Sequence, residues 1–348
     1  MTSVLPMGVN LRNIADPKRI ELEELGGKTV AIDAFNTLYQ FLSIIRGMTG
    51  ELLRDNKGRV TSHLSGLFYR NMNLLEEGMK LIYVFDGIPP KLKSLEIQRR
   101  REVKVVAGEM YKEALERKDY EAAKKFASAT AYLDNQMVDE SKNLLDLMGI
   151  PWVQAPSEGE ATAAYLTTTG RADFAGSQDY DSLLFGALRL VRNLTISGKR
   201  KLPNRNTRVD VIPETVYLSD VLGKNGITRE QLIDIGILLG TDFNPDGFAG
   251  IGPATALKLV KKYSRIENMP DLKGKMNFDP NEIREIFLHP KVSTRDDLVL
   301  TQKPPQNDAL LSFLVDEHNF SKERIDAALQ RLNARKNVES QSLEQWFS

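Results

Sequence analysis

Seven carboxylates recur along this chain at the edges of apolar runs: Asp33, Asp86, Glu158, Glu160, Asp179, Asp181 and Asp242. Asp33 closes KTVAID, Asp86 closes LIYVFD, and Glu158 and Glu160 come just after IPWVQ. Asp179 and Asp181 follow ADFAGS in the phrase SQDYD, and Asp242 follows Gly240, a glycine placed to end a helix. In an open parallel α/β sheet the carboxyl ends of the strands share one edge, where ligands bind. Acids at those ends converge although they lie far apart in sequence. Converging carboxylates repel unless cations neutralise them, so the pattern points to hard divalent metals. Taken singly, each acid has a plain structural reading, because Asp is favoured in turns and caps. Ser157 and Glu160 have the spacing of a capping box, which alone would account for that glutamate. It accounts neither for Glu158 nor for the pair Asp179 and Asp181, so the set favours a metal site.

The elements that must position these acids alternate. KTVAID (28–33) precedes an amphipathic helical stretch, NTLYQFLSIIRGM, and a helix over about 60–78 leads to strand KLIYVFD and the turn GIPP. From about 91 to 132 the chain is charged, alanine-rich and without strand signals, with Gly108 as a hinge between two helical pieces. Its apolar residues are too sparse for a core helix, so it is expected to stand off the domain as an arch. A helix over 135–148 ends at Gly149; strand IPWVQ, a helix from near Ser157, strand ADFAGS and a short helix after Asp181 follow. A basic two-stranded ribbon is expected across 188–212. Thr228 and Gln231 form a capping box for QLIDIGILLG, and Pro253 opens a further helix. SKERIDAALQRLNARK (321–336) reads as a helix and 339–348 as a flexible tail. The fold class is α/β, with a mainly parallel sheet flanked by helices.

Composition limits the chemistry. The 348 residues contain no cysteine and three scattered histidines, which excludes disulfides and thiolate sites and disfavours zinc. No run approaches the ~18 apolar residues of a membrane helix, and no secretion signal is present, so a soluble, cytoplasmic protein is expected. Net charge is zero, with 47 basic and 47 acidic residues. Charge is nonetheless uneven: 189–208 holds seven Lys/Arg and no acid, and 91–101 is also basic. Such stretches either contact phosphates or are solvated faces. Gly250-Ile251-Gly252 exposes backbone N–H groups ahead of a helix carrying Lys258, Lys261 and Lys262, as in a helix-hairpin-helix phosphate site. Tyr39 lies one to two turns into the helix after Asp33; it could stack on a base, though packing with Phe35 or Leu42 is the simpler reading. Leu343, Trp346 and Phe347 end a polar segment, where they either dock into a partner's pocket or fold back.

The blocks AIDAFNTLYQFL, YVFDGIPPKLK, LMGIPWVQAPSEGEA, SQDYDSLLFG, LLGTDFNPDGFAGIGPATAL and FLVDEHNFSKERI together resemble the flap endonucleases, structure-specific 5′-nucleases. They span about 8–330 in the family's order, and GKRKLP is most similar to its archaeal branch. The resemblance implies Mg²⁺-dependent cleavage of branched DNA carrying a 5′ flap, with 5′-exonuclease activity, in lagging-strand replication and repair. It implies two metals, with Mn²⁺ able to substitute, held by Asp86, Glu158, Glu160, Asp179 and Asp181, with Asp33 and Asp242 as outer acids. Lys93 and Arg100, at the base of the arch, match residues that meet the scissile phosphate. Tyr39 matches an aromatic that stacks on the displaced nucleotide, which reverses the packing reading. Gly8, Gly250 and Gly252 match glycines close to DNA, the latter two in a helix-hairpin-helix (236–262) that holds duplex through K⁺. Arg192, Lys199, Arg200 and Lys201 are the basic-ribbon candidates for DNA contact. Leu343, Trp346 and Phe347 fit a box that binds the sliding clamp (PCNA), although its first place falls on Ser340 and the glutamine on Gln341.

Residues 1–7 read as an extension ahead of Gly8, because the family usually begins Met-Gly. Residues 8–338 read as one nuclease domain in a monomeric protein of the archaeal nucleoid. Two rivals remain at this point: a repair exonuclease of the same superfamily, and a non-catalytic junction binder. A mere binder would gain phosphate affinity by losing the seven acids, so their retention disfavours it.

Overall fold

Strand β2 (Thr29–Asp33) is buried on both faces, as is strand β3 (Lys80–Phe85) beside it. Continuous apolar runs such as TVAI and LIYVF belong in a parallel sheet covered on both sides, and that is where they lie. The computed structural model describes residues 8–195, 199–201, 208–294 and 299–347, with backbone alone for 199–201, 208–210 and 336–347. The sheet also holds β1 (Lys18–Arg19), β4 (Trp152–Gln154), β5 (Phe174–Gly176), β6 (Arg189–Arg192) and, late in the chain, β9 (Glu214–Tyr217). Its order is β1-β9-β6-β5-β2-β3-β4, parallel from β6 to β4 and antiparallel at β9 and β1. The mainly parallel α/β architecture expected from the sequence is therefore present.

Alternate strand residues feed two cores. Ala31, Ile82, Val84 and Ala175 pack toward the helices Gly159–Thr168 and Arg229–Leu239. Val30, Ile32, Leu81 and Tyr83 pack toward the helices Ser62–Glu76 and Asn135–Leu147. From β2 the sheet grows in both directions, through β3 on one side and β5 on the other. Such a switch point leaves a crevice at the strands' carboxyl ends. Asp33 is the last residue of β2, Asp86 follows β3, and Asp179 follows β5.

Three expectations differ from what is found. Gly108 is no hinge: one helix runs Ser94–Glu116, and the break comes at Lys118, where φ is +55°. Asp119 then caps the helix Tyr120–Ala129 by accepting from the Ala122 N–H at 3.0 Å. A mid-helix glycine costs only about 1 kcal/mol, so a left-handed residue followed by a side-chain cap is the stronger signal. The ribbon is narrower than 188–212: β6 pairs with β9 in the main sheet, and only β7 (Lys199–Lys201) and β8 (Arg208–Asp210) form it. The last helix runs Lys322–Phe347, so the backbone of 339–347 continues a helix in place of the expected flexible tail. Among the described residues no helix is long and apolar enough to cross a membrane.

A buried ion network joins the helices that follow the sheet. Arg284 donates to Asp234 at 2.6 Å and to Glu267 at 2.6 and 2.8 Å, with Arg284 4% and Asp234 1% exposed. Removing one partner strands a buried charge. Arg284→Ala is expected to destabilise the protein by about 3–5 kcal/mol in urea denaturation; a loss under about 1 kcal/mol would show that water reaches Asp234.

Candidate active site

The acids reach the crevice from five segments, each fixed by its local backbone. Asp33 is the N-cap of helix Ala34–Ile44 and accepts from the Asn36 N–H at 3.0 Å, while the Asn36 amide donates to Asp179 at 2.7 Å. Asp86 accepts from the Gly159 N–H at 2.6 Å, an approach open only to glycine, since a Cβ at 159 would lie 2.6 Å from the Asp86 carboxylate. Glu160 accepts from the hydroxyls of Ser177 (2.7 Å) and Ser182 (3.1 Å). Asp181 accepts from the Val9 N–H at 2.8 Å. Gly8, with φ +69°, lies against Asp179; a Cβ there would fall 2.8 Å from the Asp179 Cβ.

Ser157 is not a cap. Its hydroxyl donates to the Ile88 carbonyl at 3.1 Å, and Glu158 takes the N-cap position without a side-chain cap bond. The capping-box reading of Glu160 therefore falls, because both of its would-be members bond elsewhere.

Burial and mutual repulsion dominate the electrostatics. Burial, then Asp86, pushes Asp33 up to about 8; burial, then Asp242, pushes Asp181 up to about 7. Burial also raises Asp86 and Glu158, and burial together with Asp181 raises Glu160 and Asp179 well above the carboxylate range. The Lys93 ammonium pairs with Glu158 and lies 3.2 Å from Asp242. Burial works to lower its pKa, but Asp242, Glu158 and Asp86 hold it above the ordinary lysine range. Arg100 spans Asp242 (2.6 Å) and Glu96 (2.8 Å).

The donor set is all carboxylate oxygen, crowded and protonation-prone for want of positive charge, which suits a hard divalent cation. As placed, no three acids among the described residues close on one point tightly enough to hold an ion. Glu158 and Asp242 pair instead with Lys93 and Arg100.

A cavity of about 750 Å³ is lined by Asp86, Glu158, Lys93 and Arg100 together with Tyr39, Ile97, Lys104 and Tyr132. Lys104 sits 4.5 Å from the Tyr39 ring centroid. Gly250 (φ +81°) and Gly252 precede the helix Pro253–Tyr263, whose N-cap Gly252 leaves the first N–H groups uncapped by any side chain. Arg192, expected to meet DNA, turns inward. Its guanidinium donates to the Gln178 carbonyl (2.9 Å), the Tyr180 hydroxyl (2.6 Å) and Glu214 (3.3 Å). Lys199, Arg200 and Lys201 lie on β7 and Leu343, Trp346 and Phe347 on the last helix; their side chains are outside the described residues, as are residues 1–7. Sequence reading missed Asn36, Ser177, Ser182 and Val9, which hold the acids. Of these only Asn36 carried a signal, as the third residue after a capping aspartate.

Raised carboxyls have a thermodynamic sign. Asp33 and Asp181 hold protons when folded that they release when unfolded, where the ordinary value is 3.8. Stability should therefore decline as pH rises toward the folded values. In EDTA the melting temperature is expected to fall between about pH 6 and about pH 8, and millimolar Mg²⁺ to restore it at the upper end. A melting temperature flat across that range would show that the acids are already neutralised.

Comparisons with known proteins agree with this geometry. The XPG N-terminal domain description matches residues 7–107 and the XPG I-region matches 149–242. Flap endonuclease 1 of Nitrosopumilus maritimus is 48% identical over 342 residues, covering 98% of this chain and 100% of the relative. Flap endonuclease 1 of Staphylothermus marinus is 50% identical over 352 residues, with 98% and 100% covered. The solved structure of flap endonuclease-1 from Methanococcus jannaschii superposes with a TM-score of 0.73 at 41% identity, covering 95% of this chain and 100% of that one. Divalent-metal use and DNA processing are general in that group, and this chain belongs to the flap endonuclease family.

Proposed function

We propose that the protein is a structure-specific 5′-flap endonuclease, with 5′-exonuclease activity, that removes flaps in lagging-strand replication and repair. One observation carries this reading: Asp86, Glu158, Lys93 and Arg100 line one cavity together with residues of both arch helices. Such a passage would admit a single strand and exclude a duplex, so the choice of substrate would follow shape.

Asp86, Glu158, Glu160, Asp179 and Asp181 would hold two Mg²⁺, or Mn²⁺, with Asp33 and Asp242 as outer acids. When bound, the metals supply charge neutralisation and a more acidic water at the phosphodiester. The chain's own groups do the rest. Lys93 and Arg100 exchange their carboxylate partners for the scissile phosphate and place positive charge where negative charge develops. Tyr39, half-buried on the cavity wall, offers its ring to the displaced base. Asn36, Ser177, Ser182 and the Gly159 and Val9 N–H groups keep the acids oriented.

Farther out, Gly250 and Gly252 would let duplex backbone approach, with K⁺ between, and Lys199, Arg200 and Lys201 on the ribbon would meet phosphates. Leu343, Trp346 and Phe347 would dock the last helix on a sliding clamp. Residues 8–338 would act as one nuclease domain, in a monomer working at the cytoplasmic nucleoid. Gly8 bears against Asp179, so whatever precedes it starts from beside the acids.

The test is cleavage of labelled 5′-flap, bubble and blunt duplex DNA with Mg²⁺, comparing the wild type with Asp181→Ala. The flap should be cut fastest. Asp181→Ala should lose about 10²–10³-fold or more in rate while still binding the flap, the scale of losing one charge-stabilising group. Cleavage retained by a folded Asp181→Ala would remove the metal assignment; a blunt duplex cut fastest would favour the exonuclease reading. Deletion of 339–348 should abolish clamp capture in a pull-down, and unchanged capture would refute that docking site.

A further inference from the structure

Behind the acids, Glu214 on β9 joins two arginines from different parts of the chain. Arg12 grips it with both ends of its guanidinium, at 2.7 and 3.2 Å. Arg192 stands directly opposite Glu214 in the antiparallel register of β6 and β9 and donates to it at 3.3 Å. Each arginine belongs to a segment that touches a different acid. Arg12 begins the short helix Arg12–Ala15, three residues after Val9, whose N–H donates to Asp181. The same stretch carries Gly8, in contact distance of Asp179. Arg192 lies 4.1 Å from the Tyr180 ring centroid and donates to both the Tyr180 hydroxyl and the Gln178 carbonyl. Tyr180 is the residue between Asp179 and Asp181. Glu214 is 8% exposed and Tyr180 4%, so the centre of the assembly is buried.

We propose that Glu214 is a positioning residue for Asp179 and Asp181. One carboxylate sets two walls: through Arg12 the Gly8–Val9 backbone, and through Arg192 the Gln178–Tyr180 turn. Planar guanidiniums held at several points transmit position well, because they have fixed donor directions. Arg192 commits its Nε and Nη1 donors to this network, and its side chain is only 15% exposed. Arg12, with its side chain 56% exposed, is the joint that solvent or DNA can reach. The inference rests on the nuclease reading for its rate measurement, but its metal-binding measurement stands apart from it.

The experiment uses the full chain and the variants Glu214→Gln, Arg12→Ala and Arg12→Lys. Three quantities are read: Mg²⁺ affinity by calorimetry without DNA, single-turnover cleavage of a labelled 5′-flap duplex, and flap affinity in Ca²⁺. Glu214→Gln preserves shape and removes the charge that holds both arginines. It is expected to weaken Mg²⁺ binding and slow cleavage by about 10- to 100-fold, the usual loss for a residue supporting metal ligands, with flap affinity unchanged. Arg12→Ala should move the same two quantities in the same direction at a more exposed position, with Arg192 left to pair Glu214. Arg12→Lys should recover part of the loss, and the double variant Arg12→Ala/Glu214→Gln should be no worse than Glu214→Gln alone. Unchanged Mg²⁺ affinity in both Glu214→Gln and Arg12→Ala overturns the proposal, as does a loss confined to flap affinity, which would make Arg12 a DNA contact. Should Glu214→Gln fail to fold, Arg12→Ala decides. A wild type that binds Mg²⁺ but does not cut flaps overturns the nuclease reading and leaves the calorimetric comparison to judge Glu214.

Discussion

Repulsion between buried carboxylates is the constraint around which this structure is arranged. Burial first, and then one another's charge, hold Asp33, Asp86, Glu158, Glu160, Asp179 and Asp181 above their ordinary pKa range at one sheet edge. Apolar packing cannot relieve that; hydrogen-bond donors and positive charge can. Lys93 and Arg100 supply part of it from the arch, and a hard cation supplies the rest in a family that uses divalent metals. The same repulsion explains the donors behind the acids. Each serine hydroxyl, amide and backbone N–H aimed at a carboxylate stabilises its charged form and fixes its direction.

The site also couples fold to chemistry through glycine. At 159 a side chain would collide with Asp86, and at 8 with Asp179. Both glycines are positions where backbone, not side chain, must come close to an acid. The sheet's switch point brings the acids near one another, while these close approaches decide where each one points.

Much of this was legible in the sequence, for physical reasons. Strand ends in a parallel sheet share an edge, so Asp33, Asp86, Glu158 and Asp179 could be placed near each other from apolar runs alone. That 91–132 is helical could be read from its charge, its alanines and its lack of strand signals. What escaped depends on partners across space. Arg192 looked like a phosphate contact because its neighbours in sequence are basic, whereas its neighbour across the sheet is Glu214. Ser157 had the spacing of a cap, but the Ile88 carbonyl competed for its hydroxyl. Gly108 looked like a hinge, but the left-handed Lys118 and capping Asp119 break the helix elsewhere.

The arch itself carries one more consequence. Its two helices, Ser94–Glu116 and Tyr120–Ala129, pack on each other, and what they bury is mostly alanine: Ala107, Ala114, Ala123 and Ala127, each no more than 7% exposed. Alanine methyls bring backbones close yet bury little area apiece, on the order of 1 kcal/mol each. A seam of that kind holds the helices in register while closed and resists little when pulled apart. Leucines in the same places would have locked it. At its base the arch is tied down by charge as well, Lys93 to Glu158 and Arg100 to Asp242.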